Sequence, residues 1–123
     1  MTEIIYATLS VYTIQLVLPT IIGVVRGEVD LGYLLGPRDE AVGVSPHVGR
    51  ARRAANNMGE SLLIFLPLAL LAGNNGAAAE AATIWLGLRI AYIVTYVMGL
   101  RHVRTIVWFA SLVYLYFMFA ALA

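Results

Sequence analysis

The chain reads as an all-α integral membrane protein, a bundle of four membrane-spanning helices, on three observations. Hydrophobic residues fill 61% of its 123 positions and charged residues only 12%, against roughly 25% charged in soluble domains. Mean hydropathy is +0.84. The apolar residues gather into four stretches, with most of the arginines at the ends of two of the connections between them.

The four stretches cover approximately residues 4–25, 61–72, 81–100 and 105–122, and a spanning helix needs about 20 mainly apolar residues. The first resembles a signal sequence in position. It carries Glu3 where a basic segment would stand, contains Gln15 and Pro19, and shows no small-residue cleavage site before Arg26, so it reads as a retained span. Tyr12, Gln15 and Pro19 share one face of it. Gln15 there can bond across helices or line a cavity, and Pro19 frees a backbone carbonyl.

The second stretch is too short alone. It reaches spanning length if its helix starts near Val48, which carries Arg50, Arg53, Asn57 and Glu60 into the protein interior near the interface, where polar groups can be paired. Pro46 suits a first helical position and Ser45 a cap before it. Gly73-Asn74-Asn75-Gly76 stops this helix, since glycine and asparagine tolerate the terminal conformation. The third stretch follows, then a tight basic turn with Arg101, His102 and Arg104, then the fourth. No repeat, low-complexity tail or internal boundary divides residues 1–123, which read as one membrane domain.

A formal charge of +1 is too small to imply a nucleic-acid surface, yet the placement of charge orients the chain. Arg26, Arg38, Arg50, Arg52 and Arg53 belong to the first connection and the start of the second helix, Arg101 and Arg104 to the third connection, and the second connection has no basic residue. The positive-inside bias puts connections one and three in the cytoplasm and both termini outside. Glu28, Asp30, Asp39 and Glu40 count little in that rule. Cysteine is absent, so there is no disulfide and no protein thiolate, and any thiol chemistry must use a ligand's sulfur. His47 and His102 lack companions for a metal site.

Two polar stripes carry the candidate chemistry. Arg50, Arg53, Asn57 and Glu60 recur at spacings of three, four and three, one face of a helix. A cationic fork, an amide and a carboxylate there can bind the carboxylates and amino group of a peptide-like ligand. Interfacial anchoring with an interhelical salt bridge accounts for the same residues. The second stripe is Arg89, Tyr92, Tyr96 and Gly99. A guanidinium at position 89 lies well inside the third span and is expensive unless paired, with Glu60 the expected partner. Tyr92 and Tyr96 suit a polar pocket or a satisfied core equally. Arg104 can place positive charge beside a bound thiol, lowering its pKa, or simply anchor the fourth span. Trp108, Tyr114 and Tyr116 read as packing or interface residues.

In Arg50–Pro67 and Arg89–Trp108 the chain resembles the family of membrane-associated proteins in eicosanoid and glutathione metabolism, especially its small bacterial members. Arg53, Asn57 and Glu60 match that family's second-helix positions, Arg89, Tyr92 and Tyr96 its third-helix stripe, and Arg104 with Trp108 the entrance to its fourth helix. At Ser61-Leu62-Leu63 the chain departs from the aromatic residue and earlier proline of many catalytic members. The resemblance implies a homotrimer in the inner membrane with glutathione bound between subunits near the cytoplasmic face. It also implies transfer or peroxide reduction on a lipophilic substrate. In that reading Arg53, Asn57, Glu60 and Arg89, with Arg50 and Tyr92, organise the tripeptide. Arg104 stabilises its thiolate, Tyr96 positions it, and the substrate enters from the membrane lipids through an apolar cleft between the first and fourth spans. The alternative is a non-catalytic lipid-binding or interaction module on the same scaffold.

Overall fold

A computed structural model describes residues 1–38, 43 and 45–123. Asp39 and Glu40, counted above among the acids of the first connection, lie outside the described residues. Five helices follow in order: α1 (Thr2–Val25), α2 (Leu31–Leu35), α3 (Pro46–Ala72), α4 (Gly76–Val97) and α5 (Arg101–Leu122). All but α2 are long and apolar enough to cross a membrane. Their outward faces carry Leu63, Leu70, Leu71, Ile106 and Phe109, all well exposed. In lipid, apolar side chains are the favoured covering. Polar residues on these faces satisfy themselves: Ser10 Oγ donates to the Tyr6 carbonyl at 2.8 Å, Thr13 Oγ1 to Leu9 at 2.8 Å and Thr83 Oγ1 to Ala79 at 2.9 Å. These three hydroxyl protons are thereby paired within their own helices.

The helix ends refine the sequence reading. Pro46 opens α3 as expected and Ser45 has extended backbone at the cap position. The Ser45 hydroxyl, however, makes no capping bond. The Gly73–Asn75 stop holds, Gly73 taking φ +53°. Helix α4 then starts at Gly76, about five residues before the apolar stretch, because Asn75 caps it: Asn75 Oδ1 accepts from the Ala78 N–H at 2.9 Å. The amide's other end donates to the Ala121 carbonyl at 2.9 Å, tying the connection to the end of α5. The basic turn is corrected as well. The chain reverses at Met98-Gly99-Leu100, and Arg101, His102 and Arg104 already belong to the first turns of α5. The short α2 was hidden in the polar first connection. Asp30 caps it through the Tyr33 N–H, a local bond that hydropathy does not register.

Helix α4 packs most extensively on α5, and α1 on α3, with α3 and α4 joining the two pairs. The joining layer is built from Met58, Leu62, Phe65 and Ala69 against Ala81, Ala82 and Trp85, closed by Leu115 and Met118. Phe65 and Trp85 lie in parallel, ring centroids 4.1 Å apart. The alanines let the helices approach, as small residues do in membrane bundles where lipid offers no hydrophobic drive to associate. On the other side, a Cβ at Gly59 would lie 2.9 Å from Tyr12 Oη. Glycine at that position is what allows the tyrosine of α1 to reach the α3 backbone.

Candidate functional site

The helical register of α3 aims Arg53 and Asn57, four residues apart, toward α4, while α4 turns Arg89, Tyr92 and Tyr96 back toward α3. Arg53 Nε donates to Tyr96 Oη at 3.1 Å. The Arg104 guanidinium of α5 lies 4.6 Å from the Tyr96 ring centre, within the range of a cation–π contact. Tyr96 is therefore held from two sides by cations drawn from two other helices. Tyr92 meets it edge to face, 5.4 Å between centroids.

Arg89 does not pair with Glu60. Its Nη2 donates to Asn57 Oδ1 at 2.7 Å, and its guanidinium lies 4.6 Å from the Tyr92 ring centre. The Glu60 side chain is exposed on α3, and the one ion pair among the described residues is Arg26 with Glu28 at 3.4 Å. The expectation failed because spacing places Asn57 and Glu60 on one face but not at one depth. Asn57, a turn nearer the connection, is the group that Arg89 reaches. Arg89 is fully buried, and its Nε and Nη1 have no partner among the described residues. A buried cation with spare donors holds Asn57 in one orientation, its carbonyl committed to Arg89 and its amide N–H groups left for a ligand.

Between these helices lies a cleft of about 250 Å³ lined by Asn57, Tyr92, Tyr96, Arg104, Thr105 and Trp108. Four of those six are expected site residues. Thr105 and Trp108 are additions: Trp108, one helical turn from Arg104, read as a packing or interface residue, and Thr105 carried no sequence signal. Arg50 lies elsewhere, its Nη1 2.8 Å from where a Cβ of Gly99 would stand. It packs on the α4–α5 turn, in the space left by a glycine with φ +78°. Among the described residues no group of His, Asp or Glu could hold a metal ion. An apolar surface also adjoins the first span. An apolar groove runs between α1 and α4, along Val11, Ile14 and Leu18 and along Ile90, Ile93 and Val94.

A sequence profile of the MAPEG family matches residues 4–123. The chain belongs to the MAPEG family. No curated protein and no solved structure matches it. Membership associates this MAPEG chain with glutathione-related lipid metabolism in general. The donors around the cleft suit a ligand that carries carboxylates. Guanidinium groups pair with carboxylates, an oriented amide offers two donors, and a tyrosine hydroxyl polarised by Arg53 can donate to an anion. The MAPEG chain supplies no thiol at this place, having no cysteine at all.

Proposed function

We propose that the chain is a glutathione-dependent membrane enzyme, a transferase or peroxidase acting on a lipophilic substrate at the cytoplasmic membrane face. One observation carries the reading: Tyr96, bonded by Arg53 and capped by Arg104, stands at a cleft it shares with Asn57 and Tyr92. Bound glutathione would supply the thiol that acts as nucleophile or reductant.

Arg53 is the cation for its carboxylates, supported by Arg50 from the α4–α5 turn on which it packs, Asn57 and Tyr92 give hydrogen bonds, and Glu60 offers a carboxylate to its ammonium group. Arg89 acts through Asn57 and is a positioning residue. Arg104 has the electrostatic role. A positive charge within a few ångströms of a thiol favours its ionised form, and a site shielded from water strengthens the attraction. The Tyr96 hydroxyl would stabilise the same anion by donating to it. In this proposal residues 1–123 are one domain, three copies form a trimer in a bacterial inner membrane, and both termini lie outside. Exposed Glu60 then has a place beside a neighbouring subunit.

The experiment is glutathione binding to purified protein in neutral detergent, followed by thiolate absorbance and conjugation of a hydrophobic electrophile. Binding with thiolate formation and turnover of either electrophile or lipid peroxide supports the enzyme. Binding with neither would leave a non-catalytic lipid-binding or interaction module and overturn the proposal.

A further inference from the structure

A second cavity of about 430 Å³ lies on the opposite side of α3, enclosed by α1, α2 and α3. Its polar lining includes Gln15, Tyr33, Arg38, Arg52 and Asn56, none of which belongs to the cleft described above. Arg52 and Asn56 repeat on this face of α3 the four-residue spacing of Arg53 and Asn57. Gln15 is 3% exposed, yet neither its amide oxygen nor its nitrogen has a partner among the described residues. Burying such a group unsatisfied costs free energy, and a ligand in the cavity would recover it.

The charges sit toward one end. Arg38 Nε and Nη2 donate to the Leu34 carbonyl at 3.1 and 2.9 Å, which leaves Nη1 and fixes the fork at the mouth. Arg52 has no hydrogen-bond or ionic partner among the described residues. Gln15 lies deeper, about 15 Å along α1 from Val25 at 1.5 Å per residue. Leu16, Pro19 and Val48 make the wall between. Gln15 also borders the apolar groove between α1 and α4. Cationic mouth, apolar wall, buried amide and apolar groove thus follow one another. A small free anion would use the mouth alone.

We infer that this cavity binds an anionic membrane amphiphile, an oxyanion carried on an alkyl chain. The oxyanion meets Arg38 and Arg52, Gln15 Nε2 donates to an ester or carboxyl oxygen farther in, and the chain lies against the apolar wall and groove. A long-chain carboxylate and an acidic phospholipid share this chemistry. The inference does not depend on the glutathione reading.

The test uses the full chain purified in neutral detergent and incubated separately with oleate, phosphatidylglycerol, phosphatidylcholine and inorganic phosphate, with retained ligand counted by native mass spectrometry. Oleate or phosphatidylglycerol should be retained and phosphatidylcholine should not, and whichever of the two is held names the source. Arg52→Gln should lower retention at least tenfold. Thr20→Trp, at an exposed position of the lining, keeps both charges while filling the space and should do the same, so it decides the matter if Arg52→Gln fails to fold. Arg104→Ala should leave retention unchanged. Equal retention of phosphatidylcholine, displacement by equimolar inorganic phosphate, full retention in Thr20→Trp, or equal loss in Arg104→Ala would each overturn the assignment.

Discussion

Arg89 on α4 reaches across to Asn57 on α3, Nη2 to Oδ1 at 2.7 Å, and this bond links the polar site to the packing of the bundle. Hydrogen bonds to charged groups contribute about 1.5–3 kcal/mol, and loss of one partner here leaves a buried guanidinium with even fewer acceptors. Asn57→Leu should lower stability by about 1–3 kcal/mol, read from the unfolding midpoint in detergent. Glu60→Gln, at an exposed position, should stay within about 0.5 kcal/mol. The reverse order would reinstate Glu60 as the partner of Arg89.

Arg104→Ala and Arg53→Ala separate chemistry from binding. The first should leave assembly and most glutathione binding intact and slow turnover at saturating glutathione by about ten- to a hundredfold, roughly 1.4–2.7 kcal/mol of barrier. The second should mainly raise KM for glutathione. Kinetics at saturating and subsaturating glutathione, with thiolate absorbance, distinguish them. An unchanged thiolate signal in a folded Arg104→Ala protein removes Arg104 from the mechanism, and general unfolding of that variant would make it an anchor of α5.

Tyr96→Phe keeps the ring under Arg104 and removes the acceptor of Arg53 Nε. Stability should fall by about 0.5–1.5 kcal/mol, while turnover drops more than glutathione affinity. Equal loss of both would confine the hydroxyl to holding Arg53.

Gly99 holds φ +78° with the Arg50 guanidinium against it. Gly99→Ala adds a methyl in a backbone region costing about 1–2 kcal/mol for L residues and pushes Arg50 aside. Because the same turn starts α5, turnover should fall along with the unfolding midpoint. Arg50→Ala should reproduce the loss of activity with a smaller loss of stability. Wild-type behaviour in Gly99→Ala would show that the turn is not pinned.

Orientation is read by labelling single reporter cysteines in a chain that has none of its own. Replacements of Pro37 and His102 should label from the cytoplasm and a replacement of Asn75 from the other side. The opposite pattern would invert the topology.

The four spans were legible because lipid exposure imposes a composition that any window of about 20 residues reveals. The start of α3 was legible because Ser-Pro is a local signal. The start of α4 was not, since Gly76 to Glu80 is weakly apolar and its helicity rests on the Asn75 cap and its bond to Ala121. The stripe Arg53, Asn57, Glu60 was visible as helical spacing. Spacing orders residues around an axis but leaves depth and partner open, and so the pairing of Arg89 went to the wrong residue.

The chain's own composition and periodicity determine its class, its four spans and the two polar faces of α3 and α4, because each follows from contact with lipid or from 3.6 residues per turn. Which helices adjoin was decided by packing, where alanines and Gly59 permit close approach and the Phe65–Trp85 stack joins α3 to α4. Only that arrangement brings Arg53 and Arg104 onto one tyrosine, turns Arg50 onto Gly99 and buries Gln15 beside a cavity. Side chains from separate helices share a site through three-dimensional distance, a quantity that residue order along the chain does not contain.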